Sequence, residues 1–278
     1  MTWVSVLLVG LGVADLVRAA LPRRRWAAPA SAVLAIGATG LLAGLHSPAD
    51  IVALTLGAAG AAGWIELASR TELTGRRAGA ALALLVVLLA GLVAFSGYAG
   101  RPDGALGAWL RWADLPGSGP APETGRVLLL SGVTLANLAT ANVVVRLVLL
   151  TTGALRPEAA GGAAAPQAAD RLRGGRLLGP MERILILGLG LAGELGAASL
   201  VIAAKGLLRF PEIQAAGRSS SDPSGTADPS RPPAAGGPAR VPGRRRGGPV
   251  GIDDVTEYFL VGSFVSWLLA LVSLAMTR

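Results

Sequence analysis

The sequence predicts an all-α fold: a polytopic transmembrane helical bundle of about seven spans, with a short interfacial helix and two flexible loops. Three observations carry this expectation. Seven apolar stretches each approach the ~20 residues that an α-helix needs to cross the hydrocarbon core. Of the 278 residues, 52% are hydrophobic and only 15% charged, whereas a soluble domain is roughly a quarter charged; the mean hydropathy is +0.57. The apolar residues are also gathered in blocks, separated by polar or arginine-bearing connections.

In chain order the predicted spans cover residues 3–21, 27–45, 51–68, 78–98, 127–150, 184–208 and 258–276. The first contains Asp15 and is followed by Arg18 and the cluster Arg23, Arg24 and Arg25. That charge order is the reverse of a signal peptide's, so the segment is expected to remain as a helix with its N-terminus outside. Gly40 with Gly44, Gly57 with Ala61, and Gly188, Ala192 and Gly196 form rows of small residues four apart, which let helices approach closely. Trp3, Trp26 and Trp64 lie near span ends, where indole rings favour the headgroup region.

These spans divide the chain into three regions. Residues 1–100 form a four-span membrane region, and residues 101–126 an extramembrane connection. Within the connection, Trp109 and Trp112 are three apart on one face of a short amphipathic helix suited to the membrane surface. Residues 127–278 form a three-span region that includes a loop over 213–250. That loop is rich in Ser, Pro, Gly and Arg and cannot bury a core, so it is expected to be disordered.

The net charge of +8 is carried by 24 arginines and one lysine. Clusters such as Arg244, Arg245 and Arg246 could serve nucleic acid. In a membrane chain they read instead as topological signals that stay on the cytoplasmic side, and no nucleic-acid partner is expected. With the N-terminus outside, seven spans put the C-terminus inside, in the cytoplasmic (cell) membrane. Arginine-rich, lysine-poor composition points to a bacterial source. One feature resists this topology: the 205–256 connection puts eight basic residues on the nominally outer side. The rival is that the sixth segment is re-entrant or that one helix is miscounted, and long loops also obey the charge rule poorly.

Cysteine is absent and His46 is the single histidine, placed before Ser47 and Pro48 where a solvated turn is expected. This removes disulfides, Cys/His zinc sites and thiol nucleophiles. No cofactor or metal is predicted. Gly188, Gly190 and Gly193 satisfy G-x-G-x-x-G, but neither a βαβ unit nor a second strand follows, so close helix packing is the better reading than a dinucleotide fold.

The candidate polar residues fall late in the chain. Arg183, Glu194 and Lys205 are spaced by eleven, close to three helical turns, and so share one face of a continuous helix. Glu194 falls mid-span, where a charge is expensive and faces protein or water. Asn137, Thr140, Asn142 and Arg146 of the fifth span are its possible partners. Glu194 is then either a proton or cation site in a hydrated pathway or a carboxyl that fixes helix register. Asp15 and Glu66, nearer span ends, are expected to meet Arg18 and Arg70.

From about residue 175 onward the chain resembles an uncharacterised bacterial family of multi-span membrane proteins, domain of unknown function 3307. The matching residues are Leu178, Gly179, Glu182 and Arg183; then Ala204, Lys205, Arg209 and Phe210; then Glu257, Tyr258, Gly262, Ser263 and Ser266. Pro180 and Gly206 depart from the pattern. The resemblance implies an integral membrane protein without an established activity. It singles out Glu182, Arg183, Lys205, Arg209, Glu257 and Tyr258 as one set, expected near one membrane face.

Three function classes follow: a transporter or channel with Glu194 in its path, a membrane scaffold or partner subunit (including a homo-oligomer), and an intramembrane enzyme or binder that holds an anionic lipid headgroup. No nucleophile–base pair, metal cage or lipid-phosphatase motif favours an enzyme.

Overall fold

A computed structural model describes residues 1–113, 123–155, 175–204, 206–207 and 252–278, with side chains undescribed at 175–177 and 252–258. Among the described residues every regular element is helical. Helices α1 (Thr2–Ala20), α2 (Ala27–Leu42), α3 (Pro48–Thr74) and α4 (Ala78–Ala94) come first, then a 3₁₀ turn (Ser96–Tyr98) and α5 (Gly104–Ala113). Helices α6 (Thr124–Leu135) and α7 (Ala141–Thr152) are joined without a break by a π-helical turn (Ala136–Thr140). Then come α8 (Gly175–Leu191), α9 (Leu195–Ala204) and α10 (Ile252–Thr277).

Four helices are long and apolar enough to cross a membrane: Thr2–Ala20, Pro48–Thr74, Thr124–Thr152 and Phe259–Thr277. With 16 and 17 residues, α2 and α4 are shorter. Local chemistry fixes the longest of the early helices. Ser47 caps α3 in a reciprocal box with Asp50, Pro48 opens its first turn, and Gly75 closes it in the left-handed region at φ 69°.

Helix directions follow from the pairs that touch. Trp3 Nε1 donates to Asp50 Oδ1 at 2.7 Å and Arg18 meets Glu72 at 3.3 Å, so α1 and α3 run parallel. Helix α6 is parallel to α1 as well: a Cβ on Gly132 would come within 2.7 Å of Ser5 O, and one on Gly12 within 2.6 Å of Leu135. Only glycine allows this backbone approach, and α1 is accordingly the most enclosed of the four long helices. Helices α1, α3 and α7 therefore end together, at what we term the arginine end. Helix α10 runs antiparallel to α7 and parallel to α8, because Asn137 meets Ser273, Gly262 faces Val145 and Leu149, Glu182 meets Trp267, and Gly190 meets Leu274.

The described part of the apolar stretch 184–208 is not one helix. Helix α8 begins upstream of it and stops at Leu191, where Gly193 turns left-handed at φ 85°. Glu194 N–H donates to Leu189 O at 2.9 Å and Gly193 N–H to Gly190 O at 3.2 Å, the paired bonds of a Schellman stop. A straight continuation would carry Ala198 about 18 Å beyond Ile186. Instead Ala198 is buried in a cluster with Ile186 and Ala270, so α9 doubles back beside α8.

Other expectations are corrected with it. Gly188 and Gly196 face nothing within 4 Å and form no packing row; Gly190 is the glycine pressed against α10, by Leu274. Gly40 does pack, against Leu54, whereas Gly44 is a left-handed turn residue. Trp3 and Trp64 are buried rather than interfacial, because their indole N–H groups are drawn inward, toward Asp50 and Asp15. Helix α5 contains the Trp109–Trp112 pair, and both indoles are exposed. The 213–250 loop lies outside the described residues.

Candidate functional site

The π turn is where the polar interior begins. Ala141 N–H reaches back five residues to Ala136 O, which releases the Asn137 carbonyl from the helical ladder. Arg183 uses it. This side chain is 1% exposed, and its Nε donates to Asn137 O at 3.0 Å. One terminal nitrogen donates to Ser266 Oγ at 2.9 Å and the other to Asn142 Oδ1. A guanidinium presents a rigid fork of donors, and here the π turn, α7 and α10 supply its neutral acceptors. Beside it, buried Glu182 accepts from Trp267 Nε1 at 2.6 Å. Asn137 Nδ2 adds bonds to Val133 O at 2.9 Å and Ser273 Oγ at 2.8 Å.

One turn along α7, a second polar group faces α1 and α3. Asp15 is 3% exposed, and neither carboxylate oxygen has a hydrogen-bond partner. Arg18 sits 3.4 Å away as an ion pair, without a hydrogen bond. The Trp64 indole N–H and the Thr140 hydroxyl lie close enough to act on the carboxylate, yet both fall outside bonding geometry and have no other partner. Arg18 also reaches Ser69 at 3.5 Å and Glu72 at 3.3 Å, and Glu72 meets Arg146 at 3.7 Å. Asp15, Arg18, Glu72 and Arg146 thus form a charged chain from the interior to the arginine end.

The residues picked from sequence are distributed as follows. Asn137, Asn142, Arg183 and Glu182 come together. The expected link from Glu194 to Arg146 or an asparagine does not form, because the Schellman stop removes Glu194 from the helix that carries Arg183. Glu194 is exposed at the hairpin tip and caps α9, its carbonyl accepting from Ala198 N–H at 3.1 Å. Arg146 goes to Glu72 instead. Lys205 and Arg209 lie outside the described residues, and Glu257 and Tyr258 lie in α10 with undescribed side chains. The Glu66–Arg70 pair forms at 2.6 Å. Sequence reasoning placed Asp15 with Arg18 and Trp64 at the interface and passed over Glu72. The available signal was an acidic residue inside a helix that is apolar on every face.

Among the described residues no group of three His, Cys, Asp or Glu side chains could hold a metal ion. The chain was compared with protein-family models, with curated proteins and with solved structures, and nothing matches in any of the three.

Proposed function

We propose that this chain is an integral membrane protein that carries or conducts a small polar solute or ion along a polar track inside its bundle. The track follows α7 and does not pass Glu194. The observation behind this reading is the open cluster of Asp15, Trp64 and Thr140. All three are buried, and all three have polar atoms without partners. An intramembrane ionisable group turned to the bundle interior marks a pathway by default. A group that merely fixes register would close its hydrogen bonds, as Arg183 does.

In this reading α1 to α4, α6–α7 and α10 cross the membrane, and α8–α9 is a re-entrant hairpin, giving six crossings instead of seven. Helices α2 and α4 must return because the helices flanking them run parallel. Charge supports the arrangement. Connections at the arginine end carry three basic residues in 21–26, two in 75–77, three in 153–174 and eight in 205–251. At the other end there are two in 95–123 and none in 43–47. The positive-inside rule then makes the arginine end cytoplasmic in a bacterial cell membrane and puts both termini outside. Kinship of the C-terminal third with domain of unknown function 3307 is part of the proposal, supported by the hydrogen bond from Arg183 to Ser266, two of its matching residues. Arg70, Arg76 and Arg77, which with Thr71 and Thr74 line a surface cavity of about 380 Å³ at the arginine end, suit an anionic lipid headgroup.

The absence of cysteine makes the test direct. A Thr140→Cys variant is treated with a small membrane-impermeant thiol reagent in sealed cells and in open membranes, with Ser219→Cys as the reporter of sidedness. Labelling at 140 is the expected result. An unreactive 140 beside a reactive reporter overturns the pathway.

A further inference from the structure

We infer that Asp15, Trp64 and Thr140 form an internal hydrated site at which Asp15 takes up and releases a proton, so that the proton is a substrate or coupling ion of the pathway. This rests on the pathway reading above and names what the site handles.

The donor and acceptor inventory decides the chemistry. Asp15 offers two acceptor oxygens, Thr140 a hydroxyl that donates or accepts, and Trp64 an N–H that only donates. All are open, and each residue is less than 5% exposed. A molecule that joined these groups would accept from Trp64 and donate to Asp15. A metal cation accepts nothing, and the indole N–H presents it with positive charge, as does Arg18 at 3.4 Å. An anion is repelled by the carboxylate. Water satisfies both demands, and buried water characteristically bridges two to four otherwise unsatisfied polar groups.

Water beside an acid moves protons: hydronium gives its proton to the Asp15 carboxylate, leaving a carboxylic acid and water, and the reverse step releases it. The charged groups on the packed elements set the route. Arg18 is on α1, Glu72 on α3 and Arg146 on α7, linked at 3.3 and 3.7 Å toward the arginine end. Helices α2 and α4 contribute no charged residue. Glu72 is the one further acid in the chain of ion pairs and the natural second stop.

The test is pH-difference infrared spectroscopy of the purified full chain in lipid nanodiscs. The wild type should show a carboxylic-acid carbonyl band that grows as pH falls and shifts within minutes of exchange into D2O. Asp15→Asn should lose that band, and Asp15→Glu should restore one at a shifted position. Trp64→Phe and Thr140→Val keep the carboxyl and should each displace the band, which keeps the test open even where Asp15→Asn folds poorly. An Asp15→Asn spectrum equal to wild type overturns the inference, as does a band that resists D2O or one that neither Trp64→Phe nor Thr140→Val moves. The two readings fail separately. A labelled Thr140→Cys without an Asp15 band leaves a pathway for another solute, whereas an exchanging band with position 140 unlabelled leaves a protonation site without an open path.

Discussion

Two buried charges, Arg183 and Asp15, meet the same helical segment around the π turn, and they are treated differently. Arg183 closes three hydrogen bonds to Asn137, Asn142 and Ser266. Asp15, one turn away on the α1 side, closes none. Burying a charge in a low-dielectric interior is costly, and good geometry with neutral dipoles offsets much of that cost. The Arg183 guanidinium meets this condition and joins α7, α8 and α10, while Asn137 Oδ1 beside it has no partner. The Asp15 site does not meet it with protein groups alone. Burial of an ionisable group therefore does not by itself tell the two sites apart; the state of their hydrogen bonds does.

The largest way to break the comparison is at Arg183. Replacing it with Met keeps much of the volume but orphans three acceptors, each worth roughly 1 kcal/mol, so the variant should lose about 2–3 kcal/mol in reversible unfolding from mixed micelles. A loss near zero would make the closed site as dispensable as an open one. Asp15→Asn should cost about 1 kcal/mol or less in the same assay, because no hydrogen bond is lost with the charge and Arg18 keeps its pair with Glu72. A penalty as large as that of Arg183→Met would assign Asp15 a structural role. The smallest effect is expected at the exposed pair Glu66–Arg70, whose side chains are 58% and 74% accessible. Glu66→Gln should change stability by less than about 0.5 kcal/mol, and this sets the baseline for a pair that solvent already screens.

The arginine clusters, the absence of cysteine and the seven apolar blocks were legible without coordinates. So was the meeting of the fifth and sixth segments, though with the wrong partner: an eleven-residue spacing on an unbroken helix favours Glu194, and the helix is broken. Gly193 was visible but read as part of a packing motif, because a glycine in an apolar run gives the same signal whether it packs, as Gly190 does, or stops the helix. The eight basic residues of the 205–256 connection, out of place on an outer loop, suit the re-entrant arrangement proposed above. Once α9 turns back, the ends of α9 and α10 that flank the 205–251 connection lie with the other basic connections.

Length, apolar blocks, caps and charge order are local properties, and the chain by itself determined them: that the apolar blocks form helices, where α3 is capped, and which connections are basic. Ser47 with Asp50 and Pro48 starts α3 whatever surrounds it. Tertiary structure decided the rest. Whether Asp15 faces lipid, water or Trp64 depends on α3 and α7 arriving from about 50 and 125 residues away, and whether Arg183 is satisfied depends on a π turn that frees one carbonyl. A hydrogen bond needs two groups at fixed distance and angle. The sequence lists the groups, and only the packed bundle sets which of them meet.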